Sequence, residues 1–304
     1  MSIIGIKRGT AYSPNREDAD AAIFEAVATR LETRGVEVLR WDDATFQNAF
    51  PDDNPTFDIQ AEAALAAADG LFSMSRDPLT LCLIDIVERI DHLPCVNSAE
   101  GVITCTDRRA LYRVMEEAGV PQPQTSFGCL WEPQTDDEPT DAYELTKIVP
   151  YPVWLKRCWG HTQVNDDVVL ATNQDETTRA LRAFVHRDVG LIAFCQHIEG
   201  DHIKFYGVAD TEFFDATYAD PAQSKLGHDV ANGTPRHHAF DARQLQEHCE
   251  AVARKLRVPV YGGDAIVRAN GSYCIIDFND WPSFGHCREE AADAIAESIV
   301  KSKK

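Results

Sequence analysis

Residues 261–284 read YGGDAIVRANGSYCIIDFNDWPSF, two apolar runs separated by Asn270-Gly271. A two-residue hairpin turn of type I′ needs positive φ at both positions, which Asn and Gly tolerate, so the flanking runs are expected to pair antiparallel. With these two residues as the turn, facing partners have numbers summing to 541, which sets Asp264 opposite Asp277. Side chains alternate faces along a strand, so Asn279 shares the face of Asp277. Like charges directly opposite destabilise a sheet, and something must offset them: a shared proton, a basic neighbour or a divalent cation. Two carboxylates and an amide oxygen make an all-oxygen set suited to Mg²⁺, or to Mn²⁺, with further ligands supplied by water and phosphate. The alternative is a longer turn with another register and the acids solvated at a strand end.

The lysines narrow the chemistry. Only nine occur, three of them (Lys301, Lys303 and Lys304) in the terminal KSKK. Lys156 ends the run PVWLK and Lys204 lies inside IKFYGV, both strand-like and apolar. A buried ammonium is costly unless it meets an anion, so a strand lysine facing a cleft points to phosphate. Pairing with one of the chain's many carboxylates is the other reading for each.

The first 95 residues alternate between strand and helix patterns. Residues 3–6 form an apolar run, and a periodic segment carrying Ile23, Ala26, Val27 and Leu31 stops at Gly35. Strand patterns over 36–41 and 71–74, a helix over 79–90 and a resumed extended chain at 94–96 follow. This order predicts a parallel, doubly wound layer. Downstream, the pattern predicts helices over 107–118, 175–186 and 244–256, a strand at 152–156, an exposed acidic loop at 131–140, and a closing helix from about 288.

With 49 acidic against 29 basic residues, the net charge is −20. That disfavours nucleic acid, which clustered Lys and Arg hold, and an anionic membrane surface. No apolar run reaches the ~18 residues of a membrane span, and MSIIGIKRGT lacks a signal-peptide pattern. Nine scattered cysteines without a CxxC pair read as reduced thiols, so the expected setting is cytoplasmic. His237-His238 and His286-Cys287 sit in no metal-binding frame and are set aside as surface or supporting groups.

Several segments resemble ATP-grasp enzymes across roughly residues 95–300. Asn97-Ser98, Thr106-Asp107-Arg108 and the stretch EAGVPQP (117–123) look like the opening of that family's central domain. PVWLK is similar to the strand whose lysine contacts ATP phosphates, and CQHIEG (195–200) to the hinge whose backbone holds adenine. The resemblance implies an α/β protein, α+β in its C-terminal part: an N-terminal parallel-sheet pre-ATP-grasp domain (1–95), a central small subdomain (96–190) and a C-terminal subdomain (191–304). It implies ATP in the cleft between the last two, with Mg²⁺ on Asp264, Asp277 and Asn279. Arg108, Lys156, His161, Gln196, His197, Ile198, Asp201 and His202 then fall at nucleotide-binding positions, and Lys156 and Lys204 at catalytic ones.

The departures are informative. Members usually carry lysine where Arg108 stands, and Arg brings a planar fork rather than a point charge. The loop 157–167 has one glycine where ligases have several, so either His161 and Thr162 contact phosphate through side chains or the loop closes less. His202, beside Asp201, occupies the usual ribose-binding acid position. Many ligases have arginine at Lys204, whereas inositol phosphate kinases of the superfamily have lysine. Three functions follow: a carboxylate–amine or carboxylate–thiol ligase acting through an acyl phosphate, a small-molecule hydroxyl kinase, or a nucleotide-binding module without catalysis. Lys7, Arg8 and Arg76 follow predicted strands, where open α/β sheets bind ligands, and with Ser283 they are the candidates for holding a small-molecule acceptor. Monomer and homodimer are both compatible with the sequence.

Overall fold

A computed structural model describes residues 1–13, 16–51, 54–130, 149–160, 164–220 and 231–301. The expected acidic loop at 131–140, together with His161 and Thr162, lies outside the described residues.

The N-terminal part runs β1 (Ser2–Ile6), α1 (Glu17–Thr33), β2 (Glu37–Trp41), α2 (Asp43–Gln47), α3 (Ile59–Ala67), β3 (Gly70–Ser73), α4 (Pro78–Ile90) and β4 (Cys95–Val96). Its sheet has the order β2-β1-β3-β4, and every pairing is parallel. Both faces are covered, as a parallel sheet requires: Ile3 and Phe72 pack with α1, while Ile4 and Ile6 pack with Phe46, Leu81 and Ile84. Acidic residues in the first turn of α1 suit its positive N-terminal end, and Gly35, at φ +77°, follows its C-terminus. The α4 helix starts where Asp77 accepts from Thr80 N at 2.9 Å, with Pro78 in the first turn.

Then come α5 (Ala99–Thr106), α6 (Arg108–Glu117), β5 (Thr125–Cys129), β6 (Val153–Arg157), β7 (Val168–Ala171), α7 (Gln174–Val185) and β8 (Leu191–Gln196). A third stretch holds β9 (Asp201–Val208), β10 (Phe214–Tyr218), α8 (Ala242–Leu256), β11 (Val260–Val267), β12 (Tyr273–Asp280) and α9 (Arg288–Lys301). These strands build two antiparallel sheets, β5-β8-β6-β7 and β10-β9-β11-β12.

Sheet membership differs from a division at residues 95 and 190. Residues 191–196 complete the central sheet, so the chain crosses to the last sheet only after Gln196. Leu111, Met115 and Val120 pack under the last sheet with Leu245 and Val252. Ile295 and Ile299 of α9 return to the first domain and share a core with Ile23 and Leu31 of α1. Each helix covers the sheet face that its apolar stripe can bury, whatever its place along the chain. Asn97 ties the first sheet to the last reciprocally: its side chain donates to Val260 O at 2.8 Å and accepts from Val260 N at 2.9 Å.

The hairpin pairs Asp264 with Asp277 by a different route from the one expected. Arg268 N donates to Ser272 O at 2.8 Å and Gly271 N to Arg268 O at 2.9 Å, while only Gly271, at φ +82°, is left-handed. The loop is therefore three residues long, and Ala265 faces Ile275. A bulge at Ile276 then supplies one extra residue, restoring Asp264 opposite Asp277 and Gly262 opposite Asn279. Two one-residue offsets cancel. Among the described residues, no helix is long and apolar enough to cross a membrane.

Candidate active site

The cleft between the two antiparallel sheets is assembled by period-2 alternation. Along β6, Val153 and Leu155 turn into the core under α7 with Ile192 and Phe194. Trp154 and Lys156 consequently point the other way and line a pocket of about 540 Å³ including its mouth. Gln196, His197 and Ile198 line it from the crossover, and His202, Ile266 and Ile276 from the last sheet. The peptide N–H groups of Gln196 and His197 are used within the fold, donating to Gln124 O (2.8 Å) and Pro152 O (3.1 Å). Trp154 Nε1 donates to His197 Nδ1 at 3.1 Å, and burial lowers the pKa of this imidazole. The neutral ring therefore carries its proton on Nε2.

Lys156 is 8% exposed, and desolvation lowers the pKa of its ammonium. Its Nζ donates to the carbonyl of the bulged residue Ile276 at 3.4 Å. Arg108 begins α6, which Asp107 caps by accepting from Arg109 N at 2.9 Å. A bond of 2.9 Å from Arg108 N to Cys158 O anchors that helix end to the strand bearing Lys156.

The two carboxylates have basic neighbours. Asp264 Oδ1 meets His202 Nε2 at 2.8 Å and Lys204 Nζ at 3.2 Å, and Asp277 Oδ1 meets Arg108 Nη1 at 3.1 Å. Lys204, Asp264 and Asp277 form one cross-strand row. Desolvation would raise the pKa of Asp264, but Lys204 and His202 outweigh it and hold the carboxyl far below its usual range. Its stabilising contribution is thus complete above the unfolded-state value of about 3.9 and is lost as pH falls below it. Urea-unfolding midpoints measured from pH 6 to pH 3 are expected to fall more steeply for the wild type than for Asp264→Asn; parallel curves would contradict this pairing.

The other expected site residues separate into those facing the cleft and those that do not. His202 faces it, whereas its neighbour Asp201 is buried, accepting from Arg236 N (2.7 Å) and His238 N (2.6 Å) to secure a loop. Alternation along β9 allows only one of the two into the cleft. Lys7 lies on the outside, 3.0 Å from Glu25 and over the Phe24 ring. Arg76 grips Asp280 at 2.8 and 3.2 Å. Arg8 bonds Asp20 (3.2 Å) and Trp281 O (2.9 Å), with Asp280 at 3.5 Å. These two arginines, expected at the acceptor site, join the first domain to the last strand through these bonds. Ser283 accepts from Arg16 Nη1 at 3.1 Å, while among the described residues Arg16 Nε is buried without a hydrogen-bond partner. Trp154, Ile266 and Ile276, which line the pocket, escaped the sequence reading because each looks like an ordinary core residue.

No protein-family model matches the chain, and a search of curated proteins found no match. Solved structures do resemble it. The D-alanine–D-alanine ligase of Bacillus anthracis superposes with a TM-score of 0.66 at 14% identity, covering 100% of this chain and 98% of that one. The same enzyme complexed with ATP gives 0.63 at 13%, with the same coverage. A RimK-domain ATP-grasp protein from Sphaerobacter thermophilus gives 0.62 at 16%, covering 98% and 99%. With likeness extending over 98–100% of the chain at TM-scores of 0.62–0.66, this protein has the ATP-grasp fold.

Proposed function

We propose that the chain is a Mg²⁺·ATP-dependent ligase that transfers the γ-phosphoryl group of ATP to a carboxylate, forming an acyl phosphate that an amine or thiol then attacks. The observation that carries this reading is the Lys204–Asp264–Asp277 row beside a pocket whose apolar walls and buried Lys156 suit a nucleotide. Apolar walls from Val168, Ile198, Ile266 and Ile276 suit a flat base. The carboxylates suit a hard cation: among the described residues, each meets protein donors through Oδ1 alone, leaving both Oδ2 atoms and the Asn279 amide as oxygen donors. Bound there, Mg²⁺ would neutralise charge on the phosphate oxygens.

Lys156 and Arg108 come from adjoining elements and hold phosphate oxygens. Lys204 brings positive charge to the transferred group, where positioning and charge neutralisation carry phosphoryl transfer. The burial of Lys156 strengthens its attraction for an anion, because little water screens it. The ligase neighbours favour a carboxylate acceptor. Lys204, by its identity, favours the second reading, a hydroxyl kinase.

Hydroxylamine decides between them. With Mg²⁺·ATP and a panel of carboxylates, the ligase reading expects a hydroxamate together with ADP. A stable phosphorylated acceptor without hydroxamate would replace it with the kinase reading. Thermal stabilisation by ATP, with no ADP formed from any acceptor, would indicate a nucleotide-binding module.

A further inference from the structure

The face of the last sheet that carries the two acids continues beyond Lys204. The register aligns Asp215 with Tyr206, Tyr206 with Gly262, and Gly262 with Asn279. Asp215, on the outer strand β10, therefore lies on the same face as Asp264, Asp277 and Asn279. After β12 the chain folds back over this row. Phe284, at φ +54°, is fully buried and packs its ring 5.7 Å from Tyr206 and 6.0 Å from Phe213. A short turn at Gly285–Cys287 then sets the His286 imidazole 3.0 Å from Asp215 Oδ2, with its ring 6.1 Å from that of Tyr206. Cys287 lies beneath, its Sγ 3.1 Å from Phe284 O. One nitrogen, one sulfur and one carboxylate oxygen thus fall within 4.8 Å of one another.

We propose that Asp215, His286 and Cys287 form a three-ligand site for a borderline divalent cation such as Zn²⁺, separate from the Asp264–Asp277 set. The donor mixture makes the distinction. A sulfur and an imidazole select Zn²⁺-like ions, whereas Mg²⁺ prefers the all-oxygen set. Tetrahedral Zn²⁺ with bonds of about 2.0–2.3 Å holds its ligand atoms about 3.3–3.8 Å apart. The present atoms bracket that spacing, with His286 Nε2 3.0 Å from Asp215 Oδ2 and all three within 4.8 Å. Three protein ligands leave the fourth position to water or to a donor atom of the acceptor. His286 is the open side, with its side chain 55% exposed against 28% for Asp215. His286-Cys287 was set aside in the sequence for want of a metal-binding frame, because the third ligand lies 71 residues away and is brought close only by the register of β10. The competing description is a His–Asp ion pair above a core cysteine.

Cobalt separates the two. The full chain, stripped with chelator and kept in excess Mg²⁺ so that the all-oxygen set is filled, is titrated with Co²⁺. One equivalent is expected to bind, with a near-ultraviolet sulfur-to-cobalt charge-transfer band and the intense visible absorption of four-coordinate Co²⁺. Stoichiometric Zn²⁺ is expected to remove both. Cys287→Ser should abolish the charge-transfer band. Asp215→Asn and His286→Ala, at partly exposed positions, should weaken Co²⁺ binding by more than the about 100-fold reached by changes outside the ligand shell. Should Cys287→Ser fail to fold, the other two variants decide through the same titration. The proposal is overturned if the wild type shows no charge-transfer band, or if the band survives Cys287→Ser on another thiol such as exposed Cys82 or Cys129. Unchanged affinity in both Asp215→Asn and His286→Ala also overturns it.

Discussion

Asp277→Asn is expected to lower Mg²⁺·ATP-dependent turnover by about 10³-fold, equivalent to about 4 kcal/mol of transition-state stabilisation, with the fold retained. Asp277 meets Arg108 and faces Asp264, so the substitution removes one of the two carboxylates that would hold Mg²⁺ and let it neutralise phosphate charge. Asn is the informative replacement, because its carbonyl can still accept from Arg108 Nη1. Alanine would strand a mostly buried guanidinium and mix a folding defect with the catalytic one. Turnover rates alongside circular dichroism check the prediction. Turnover near wild type in a folded variant would remove Asp277 from the metal set and the row from the mechanism.

Asp280→Ala is expected to cause the larger loss of stability, about 3–5 kcal/mol, the cost of breaking a buried ion pair from one side. Asp280 is 2% exposed. It accepts from Arg76 Nε and Nη2 and lies 3.5 Å from Arg8 Nη2, while Arg8 also pairs with buried Asp20. The four groups balance two positive charges with two negative ones. Removing Asp280 leaves a net positive charge among buried groups, at the seam between the first domain and β12. A melting temperature lower by on the order of 10 °C is expected. A shift of only a degree or two would show that water reaches the seam and screens the arginines. Asp280→Asn, which keeps the shape and the acceptor oxygen, should fall between the two.

These residues show where local reading ends. The strand–helix alternation of the first sheet was legible because turn chemistry and apolar periodicity act over a few residues. The facing of Asp264 and Asp277 was legible too, although the chain reaches it through a three-residue loop and a bulge at Ile276. The cleft positions of Lys156 and His202 follow from alternation once their strands are placed. Arg8 and Arg76, by contrast, follow strand ends as ligand-binding groups do, and nothing nearby in the chain reveals that Asp280 waits more than 200 residues away.

By itself, then, the sequence determined the parallel layer of the first 95 residues, the hairpin that opposes two acids, and the scarcity of lysine that singles out two strand positions. The tertiary structure alone decided that α9 packs on α1, that β8 belongs to the central sheet, that Asp201 braces a loop while His202 faces the cleft, and that His286 and Cys287 meet Asp215. The physical reason is one of range. Turns and periodicity depend on neighbours along the chain, whereas the partner of a buried charge or apolar face is set by which distant surfaces exclude water together.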